Sequence, residues 1–487
     1  MFELNDTSLF REQAFVSGRW MDADAGGRLE VLNPSSGKTL GAVPDMGADE
    51  VGWAVDAADA ALSLWREETA RDRAALLRRW HDLMMENQGD LARIMTAEQG
   101  KPLSESRGEI AYAASFVEWF AEEGKRVYGD VIPSPKAESR ILTIKAPVGV
   151  CAAITPWNFP AAMITRKAAA ALAAGCTLVV KPASQTPFSA LALAELARQA
   201  GIPGGVFNVV TGDSQIIGRA LTENPTVRKV SFTGSTETGR RLMAQSAATV
   251  KRLSLELGGN APFIVFADAN LDAAVAGAMA SKFRNSGQTC VCADRFLVHT
   301  DIYDAFLSRL VDAVKRLIVG DGFSDGVQQG PLIDMAAVEK VEAHIQDALD
   351  KGASLMCGGS RHALGGTFFE PTVIAGASPD MRVFQEETFG PLAPVFQFSE
   401  ETDAIGMANS TDLGLAAYFY TRDMGRIWRV AEALEYGIIG VNTGLISTEV
   451  APFGGMKQSG FGREGSKYGI DEYLEIKYLN MAGINDI

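Results

Sequence analysis

Apolar residues recur at every third or fourth position in two stretches of the first third of the chain, residues 49–65 and 71–85. The second stretch places large apolar side chains on one helical face: Leu76, Leu77, Trp80 and Met84. This period matches the repeat of an α-helix and predicts two amphipathic helices. We expect their apolar faces to cover the strands that follow in the chain.

Short apolar runs alternate with helical stretches between residues 150 and 257. The runs are residues 150–154, 177–180, 206–210, 230–232 and 253–257, and most of their starts lie 23 to 27 residues apart. That spacing is close to the ~30 residues of a strand–helix–strand unit and predicts a parallel sheet. The longest uncharged apolar stretch, Ala168 to Val180, covers 13 residues. A membrane-spanning helix needs about 20, so this stretch is interpreted as a buried helix followed by a strand.

Candidate ligand-binding segments follow the predicted strands. They are Pro156-Trp157-Asn158, Lys181-Pro182-Ala183-Ser184, Gly212 and Gly234-Ser235. Ligands of open α/β sheets bind at the carboxyl ends of the strands, where these segments should meet. Residues 234–239 lack the Gly-x-Gly-x-x-Gly pattern, but they should open a helix whose free N–H groups can hold a phosphate. An ordinary turn with a helix cap explains this run equally well.

A second alternating region begins near Ala261 and runs through residues 386–391 to residues 442–444. We interpret it as a catalytic domain, because it contains the most distinctive cysteine of the chain. Two further segments, Arg140 to Lys145 and Tyr473 to Met481, alternate like exposed strands. Exposed strands invite pairing with another subunit, so an oligomer is expected.

Composition narrows the class of protein. The 487 residues are 47% hydrophobic and 22% charged, which is typical of a globular chain, and the net charge of −15 disfavours nucleic-acid and anionic-membrane partners. Five cysteines and a start without a secretory pattern predict a reducing, cytoplasmic location. The four histidines are scattered, so no metal site is expected: His81, His299, His344 and His362.

The strongest chemical signal is a cysteine preceded by a carboxylate. Gly287-Gln288-Thr289-Cys290 follows Glu256-Leu257-Gly258-Gly259, with Cys290 lying 34 positions after Glu256. A thiolate attacks carbonyl carbon and a carboxylate activates water, so the pair predicts covalent catalysis. Taken singly, a cysteine such as Cys290 is usually a small buried apolar residue, and Glu256 could be a solvated or paired carboxylate. Cys292 could oxidise with Cys290 and block it, or remain an inert buried thiol.

Six motifs in fixed order make the chain resemble the aldehyde dehydrogenase superfamily. They are residues 155–160 (TPWNFP), 232–236 (FTGST), 256–260 (ELGGN), 287–290 (GQTC), 387–391 (ETFGP) and 452–455 (PFGG). Residues 282–285 (KFRN) make it similar to the NADP-dependent succinate-semialdehyde dehydrogenases in particular. The resemblance implies an α/β aldehyde dehydrogenase-like fold with a Rossmann-type cofactor domain, an α/β catalytic domain and a small β oligomerisation segment.

The domain limits that follow are 1–130 and 149–260 for dinucleotide binding, 261–441 for catalysis, and 131–148 and 470–487 for oligomerisation strands. Residues 442–469 would return to the catalytic domain and form a substrate-site loop. By the same resemblance the protein is a homodimer or homotetramer.

The resemblance also implies roles for individual residues. Cys290 attacks the aldehyde, the Asn158 amide meets the oxyanion, and Glu256 activates water for thioester hydrolysis. The residues expected at the cofactor are Thr155, Trp157, Asn158, Lys181, Pro182, Ala183, Ser184, Gly234, Ser235, Leu257, Glu387 and Phe389. NAD-preferring relatives often carry a glutamate where Ser184 stands, and a carboxylate there would repel a 2′-phosphate. NADP is therefore the preferred cofactor, with NAD use left open.

Arg166, Arg284 and Ser447 match the positions that hold a distal carboxylate in succinate-semialdehyde dehydrogenases. The guanidinium group suits such a carboxylate, although an arginine taken alone is more often a surface residue. Glutarate semialdehyde or a broader range of aldehydes remains an alternative, because one methylene discriminates weakly. A cysteine acyl hydrolase, acyl transfer to coenzyme A and a non-catalytic structural protein are the other hypotheses.

Overall fold

Strands and helices alternate along most of the computed structural model, which describes residues 3–483. Its strands are β1 (Ala14–Val16), β2 (Arg19–Met21), β3 (Arg28–Leu32), β4 (Thr39–Pro44), β5 (Val131–Ile132), β6 (Ser139–Pro147), β7 (Val150–Ile154), β8 (Thr177–Lys181), β9 (Phe207–Val209), β10 (Val227–Thr233), β11 (Arg252–Glu256), β12 (Ala261–Val265), β13 (Ala293–His299), β14 (Ser354–Cys357), β15 (Thr372–Ala375), β16 (Leu392–Phe398), β17 (Leu413–Gly414), β18 (Ala416–Tyr420), β19 (Ile438–Val441), β20 (Met456–Lys457), β21 (Gly460–Phe461) and β22 (Leu474–Ala482). Its α-helices are α1 (Ala48–Trp65), α2 (Ala70–Glu86), α3 (Gln88–Gln99), α4 (Leu103–Glu123), α5 (Ala162–Ala174), α6 (Pro187–Ala200), α7 (Ser214–Glu223), α8 (Thr236–Ser246), α9 (Leu271–Lys282), α10 (Tyr303–Val314), α11 (Met335–Asp350), α12 (Arg382–Gln385), α13 (Glu401–Asn409), α14 (Met424–Ala433) and α15 (Ser466–Asp471).

The first sheet has the strand order β2-β1-β9-β8-β7-β10-β11-β21. Its central strands β9, β8, β7, β10 and β11 are parallel, and all five apolar runs predicted between residues 150 and 257 lie on them. The parallel sheet predicted from the sequence is thereby confirmed. The antiparallel edge strands β1, β2 and β21 were not predicted.

The two predicted amphipathic helices are α1 and α2, which pack onto the first sheet and its helices. Trp65 of α1 and Trp80 of α2 are fully buried, and their indole N–H groups donate to the carbonyls of Leu172 (3.2 Å) and Leu193 (3.1 Å). Residues 168–180 form the end of the buried helix α5 and the start of β8, as predicted. Among residues 3–483, no helix has the length and apolar character needed to cross a membrane.

The second sheet has the order β14-β15-β16-β13-β12-β18-β19, with every pair except β14–β15 parallel. Its first strand along the chain, β12, closely follows β11 of the first sheet, since only residues 257–260 separate the two strands. This short link joins the carboxyl end of a strand in the first sheet to the amino end of a strand in the second. The gap between these two edges is where the candidate catalytic residues lie.

The segments predicted as exposed strands form a third sheet, ordered β22-β6-β5. Strand β22 pairs antiparallel with β6 over nine positions, from Leu474 opposite Pro147 to Ala482 opposite Ser139. Both predicted strands are confirmed; residues 484–487 of the predicted oligomerisation segment and residues 1–2 of the first domain lie outside the described part. Strand β21, within residues 442–469, pairs with β11 of the first sheet. The proposed domain limits therefore stay a prediction.

Candidate active site

Cys290 follows a tight left-handed turn that leads into β13. Asn285, Ser286 and Gly287 have φ values of 51°, 54° and 74°. This region costs an L-residue about 1–2 kcal/mol, although asparagine tolerates it better than most residues do. Position 287 requires glycine, because a Cβ there would lie 2.1 Å from the carbonyl oxygen of Gly390. The chain therefore holds a strained turn immediately before the cysteine.

Two cavities meet at Cys290. One, of about 320 Å³, is lined by Glu105, Gly108, Glu109, Tyr112, Phe159, Met163, Arg166, Arg284, Thr289, Cys290, Val291, Ser447 and Phe453. The other, of about 380 Å³, is lined by Pro156, Trp157, Asn158, Phe159, Met163, Thr233, Gly234, Ser235, Glu256, Leu257, Gly258, Cys290, Ala336, Ala337, Lys340, Glu387, Thr388 and Phe389. Cys290, Phe159 and Met163 belong to both. The predicted substrate residues line the first cavity, and most of the predicted cofactor residues line the second.

The thiol of Cys290 lies in an environment that favours its neutral form. Burial and the nearby Glu387 carboxylate raise the pKa of Cys290 to about 12, and Glu256 adds to this rise. Arg166 and Arg284 act in the opposite direction, because their positive charges favour the thiolate. A positive charge close to the sulfur therefore determines how much thiolate is available.

Glu256 lies at the end of β11 and is 3% exposed. Neither carboxylate oxygen has a hydrogen-bond partner among the described residues. Burial, and then the charge of Glu464, raise the pKa of Glu256 well above its usual range, against the opposing effect of Arg166. A glycine lets this segment approach Cys290, since a Cβ at Gly259 would lie 2.3 Å from the carbonyl oxygen of Cys290. Glu256 is thus a buried, uncompensated carboxyl group at the same cavity as the cysteine.

Asn158 is held between the two sheets. Its side-chain Nδ2 donates to the carbonyl of Gln288 (3.0 Å), and its own carbonyl accepts from Lys101 Nζ (2.7 Å) and from Asn285 Nδ2 (2.9 Å). One N–H of the Asn158 amide is used by Gln288, which leaves the second for a ligand. The predicted oxyanion donor therefore lies at the cavity with its position fixed from three directions.

Most of the predicted cofactor residues line the second cavity. The rings of Trp157 and Phe389 meet edge to face with centroids 5.6 Å apart. Glu387 accepts from the backbone N–H of Gly259 (3.1 Å), and burial raises the pKa of Glu387 to about 8. Ser235 caps α8 by accepting from the N–H of Thr238 (3.3 Å), so the helix predicted after Gly234 is confirmed.

Thr155 and residues 181–184 lie at the neighbouring strand ends, outside the lining of that cavity. The N–H of Thr155 donates to the carbonyl of Lys181 (3.1 Å). Lys181 Nζ donates to Ser184 Oγ (3.2 Å) and to Ser214 Oγ (2.7 Å). Burial lowers the pKa of Lys181 to about 8, although Asp213 opposes this shift. An ammonium and two hydroxyls thus form a cluster that fits an anionic group; Ser214 was not predicted.

Arg166, Arg284 and Ser447 come together around the first cavity, as the prediction required. Arg166 lies 3.0 Å from Glu464 and packs over the ring of Phe453 at 4.1 Å. Arg284 packs over Phe159 at 5.3 Å. Among the described residues, Nη2 of Arg166 and Nε of Arg284 are buried without a hydrogen-bond partner. Both guanidinium groups therefore have a donor left for a carboxylate.

Several residues of the site were not predicted. Tyr112 of α4 and Phe453, whose motif was quoted without a role for this residue, line the first cavity, and Lys340 of α11 lines the second. Tyr112 carries an aromatic signal typical of any core helix, so its sequence context could not distinguish it. Glu464 neighbours Arg166, and Lys167 Nζ donates to the same carboxylate; both residues sit in stretches without a recognised motif.

Cys292 is buried, and its Sγ donates to the carbonyl of Gly287 (3.3 Å) and lies 3.6 Å from Lys282 Nζ. All five cysteines are free in the structure, so oxidation of Cys292 with Cys290 stays a prediction. Within residues 3–483, no three His, Cys, Asp or Glu side chains are grouped so that they could hold a metal ion.

Comparison with known proteins identifies the family. Residues 20–479 match the model of the aldehyde dehydrogenase family. The chain belongs to this family. It is 64% identical to succinate-semialdehyde dehydrogenase [NADP(+)] GabD of Escherichia coli (strain K12), over 98% of this chain and 99% of that protein. It is also 64% identical to a glutarate-semialdehyde dehydrogenase of Pseudomonas aeruginosa, over 99% of this chain and 100% of that one.

A crystal structure of succinate-semialdehyde dehydrogenase from Burkholderia pseudomallei has the same fold as this aldehyde dehydrogenase. It superposes with a TM-score of 0.98 at 64% identity and covers 99% of this chain and 100% of that one. The predicted α/β aldehyde dehydrogenase-like fold is confirmed by this likeness and by the family match.

Proposed function

We propose that this aldehyde dehydrogenase oxidises succinate semialdehyde to succinate with NADP. The observation that carries the proposal is the position of Cys290 where two cavities meet, one with two arginines and the other with the residues expected at a nicotinamide cofactor. The thiol can therefore be reached by an anionic aldehyde from one side and lies beside the cofactor residues on the other.

The first step is attack of the Cys290 sulfur on the aldehyde carbon. The carbonyl oxygen gains negative charge as the C–S bond forms, and the free N–H of the Asn158 amide would donate to it. A preorganised donor of this kind is worth about 3 kcal/mol of transition-state stabilisation. Arg166 and Arg284 favour the thiolate form of Cys290, as the direction of their effect on its pKa indicates.

The residues of the second cavity fit a nicotinamide cofactor. Gly234 and Ser235 open helix α8 at the cavity wall, where N–H groups favour phosphate, and Glu387 offers a carboxylate suited to ribose hydroxyls. Lys181, Ser184 and Ser214 form the neighbouring cluster of donors, which is suited to a 2′-phosphate. A nicotinamide cofactor bound by these residues would supply the hydride acceptor for oxidation of the carbon that Cys290 holds.

Glu256 would complete turnover by hydrolysis. After oxidation the acyl group stays on Cys290 as a thioester, and Glu256 takes a proton from the water that attacks it. Its raised pKa makes it a better base than an ordinary glutamate, because proton transfer is most efficient when the pKa lies near the working pH. This role distinguishes the proposed reaction from acyl transfer to coenzyme A.

Arg284, Arg166 and Ser447 are the residues assigned to bind the distal carboxylate of the substrate. Glutarate semialdehyde is a second candidate, because a relative carrying that name is as similar to the chain as one named for succinate semialdehyde. The two substrates differ by one methylene, which discriminates by about 1–3 kcal/mol.

Steady-state kinetics test these assignments. The panel contains succinate semialdehyde, glutarate semialdehyde and the neutral butanal, each measured with NADP and with NAD. In Arg284→Ala, kcat/KM for the charged aldehydes should fall about 10- to 100-fold further than kcat/KM for butanal, since a charged hydrogen bond is worth about 1.5–3 kcal/mol and the lost support for the Cys290 thiolate affects all three aldehydes alike.

The matched control is Arg219→Ala, which removes an exposed arginine of α7 that pairs with Glu223. It should retain the kinetics of the unaltered protein. Equal losses for charged and neutral aldehydes in Arg284→Ala would contradict the substrate assignment, and a preference for NAD would contradict the cofactor assignment.

A further inference from the structure

Asn285 contacts both the oxyanion residue and the segment that carries the nucleophile. Its Nδ2 donates to the carbonyl of Asn158 (2.9 Å) and to the carbonyl of Gln288 (3.3 Å), two positions before Cys290. The Gln288 carbonyl also accepts from the side chain of Asn158 (3.0 Å). One amide thus closes a ring of hydrogen bonds between the two catalytic segments. Asn285 is 1% exposed, so these bonds do not compete with bulk water.

The orientation of the Asn285 amide is fixed by a chain of neighbours. The backbone N–H of Lys101 donates to Gln99 Oε1 (2.9 Å), which leaves Gln99 Nε2 to donate to Asn285 Oδ1 (3.0 Å). With its oxygen used in this way, Asn285 has only its Nδ2 donors for Asn158 and Gln288. The end of α3 therefore determines which way the amide faces.

The backbone of Asn285 is held as well. Its N–H donates to Glu105 Oε2 (2.9 Å), and its φ of 51° is one that asparagine adopts more readily than most residues. The side chain and the main chain of this residue are thus both fixed from α3 and α4, outside the two sheets that carry Asn158 and Cys290.

We infer that Asn285 is a positioning residue that sets the Asn158 amide against Cys290, so that the donor meets the oxyanion formed on that sulfur. The inference rests on the proposed function, because it assigns Asn285 to the geometry of that same reaction. Asn285 has no place in the lining of either cavity, so it acts through Asn158 and Gln288.

The decisive variant is Asn285→Gly, which removes the amide and keeps the left-handed backbone available. The matched control is Ser286→Gly, which makes the same change one position later in the same turn and removes only a hydroxyl that donates to Gly330 O (2.9 Å). Asn285→Gly should lower kcat for succinate semialdehyde about 100-fold, the scale expected for a misplacement of about 1 Å, and Ser286→Gly should stay within a few-fold of the unaltered protein.

Two cofactor-free measurements separate positioning from folding. Hydrolysis of p-nitrophenyl acetate passes through an oxyanion on Cys290, whereas alkylation of the same sulfur by iodoacetamide does not. Asn285→Gly should therefore lose ester hydrolysis by a similar factor while its alkylation rate changes only a few-fold. The variant Gln99→Leu, which removes the group that orients the Asn285 amide, should show the same pattern with a smaller loss.

Each outcome has a distinct meaning. If the unaltered protein oxidises no aldehyde of the panel, the proposed function fails, whatever the variants do. If the unaltered protein is active and Asn285→Gly keeps its kcat and its esterase rate, the positioning role is wrong. If alkylation falls as far as ester hydrolysis in both Asn285→Gly and Gln99→Leu, Asn285 merely supports the cysteine turn, and the inference is again overturned.

Discussion

Burial governs the chemistry of single residues at this site. Glu256 is buried and Cys290 is half-buried, and burial is the largest cause of the raised pKa of each. Groups of this kind are expensive to keep in a folded protein, and they are typical of positions that exchange protons in a reaction.

Glu256→Gln should separate the two halves of the reaction. In the proposed reaction oxidation needs Cys290 and hydrolysis needs Glu256, so the variant should release about one equivalent of reduced cofactor per site in a rapid phase and then nearly stop. Stopped-flow absorbance measures the burst, and mass spectrometry of quenched protein detects the acyl group on sulfur.

The steady-state turnover rate of the unaltered protein should rise with pH, and a pH–rate profile measures this. Glu256 acts as a base only when deprotonated, and its pKa is raised, so steady-state turnover should increase with pH above the usual range of a glutamate. For the burst experiment with Glu256→Gln, Cys290→Ser is the control and should show no burst of reduced cofactor. A full turnover rate in Glu256→Gln would contradict the assignment.

Ser184→Glu should reverse the cofactor preference. A carboxylate about 5 Å from a 2′-phosphate costs about 3 kcal/mol at an effective dielectric constant of 20, which corresponds to about 100-fold in kcat/KM for NADP. NAD lacks that phosphate and should be affected little. Ser184→Ala, which introduces no charge, is the control, and the ratio of kcat/KM values measures the change. An unaltered ratio in Ser184→Glu would place the 2′-phosphate elsewhere.

The sequence singled out Cys290 and Glu256 because their surroundings are chemically unusual, and the roles given to them stay predictions. Cys290 and Glu256 stand beside glycines, and the structure explains two of these by backbone contacts that leave no room for a Cβ, at Gly259 and Gly287. Tyr112 was missed because an aromatic residue on an amphipathic helix has the same pattern whether it lines a cavity or a core. The contacts of Asn285 were missed because they depend on α3 and α4, about 180 residues away in the chain.

Among the elements, continuous apolar runs predicted the parallel strands of the first sheet, because strands buried on both faces contain few polar residues. The edge strands β1 and β21 were missed, since they have three and two residues and form only by pairing with distant segments. The cysteine also illustrates a limit of the general rule for α/β sheets. It precedes β13 at the amino edge of the second sheet, whereas Glu256 ends a strand of the first.

A buried carboxylate joins two helices near the first sheet. Glu98, the penultimate residue of α3, is fully buried and accepts from the N–H groups of Phe188 (2.7 Å) and Ser189 (2.9 Å) in the first turn of α6. Burial raises the pKa of Glu98 to about 8, although both hydrogen bonds oppose the shift. A group with a raised folded pKa stabilises most fully below its unfolded pKa, and its contribution is lost as the pH rises through 8.

Glu98→Leu should therefore lower the free energy of unfolding by about 2–4 kcal/mol at pH 6, because two buried N–H groups lose their acceptor. Glu98→Gln keeps one acceptor and cannot ionise, so its deficit relative to the unaltered protein should shrink between pH 6 and pH 9. Urea unfolding followed by circular dichroism at fixed protein concentration measures both. Glu237→Gln, an exposed first-turn residue of α8, is the control. A deficit that grows with pH would contradict this account.

At the scale of the whole molecule, the third sheet exposes apolar side chains that a monomer leaves in water. Ile476 and Tyr478 of β22 are 68% and 61% exposed and share one face, since they are two positions apart. Ile132 of β5 is also exposed, and it pairs with Ile141 on the neighbouring strand. An apolar face of this kind, beside open strand edges, is typical of a subunit interface.

We therefore expect a homodimer or homotetramer, with a molar mass by light scattering of two or four times the 52.0 kDa chain. Replacing Ile476 and Tyr478 together by lysine should shift the mass towards 52.0 kDa, because an interface cannot bury two unpaired charges cheaply. Lys477→Ala, on the opposite face of β22, is the control. A mass of 52.0 kDa for the unaltered protein would contradict the predicted interface.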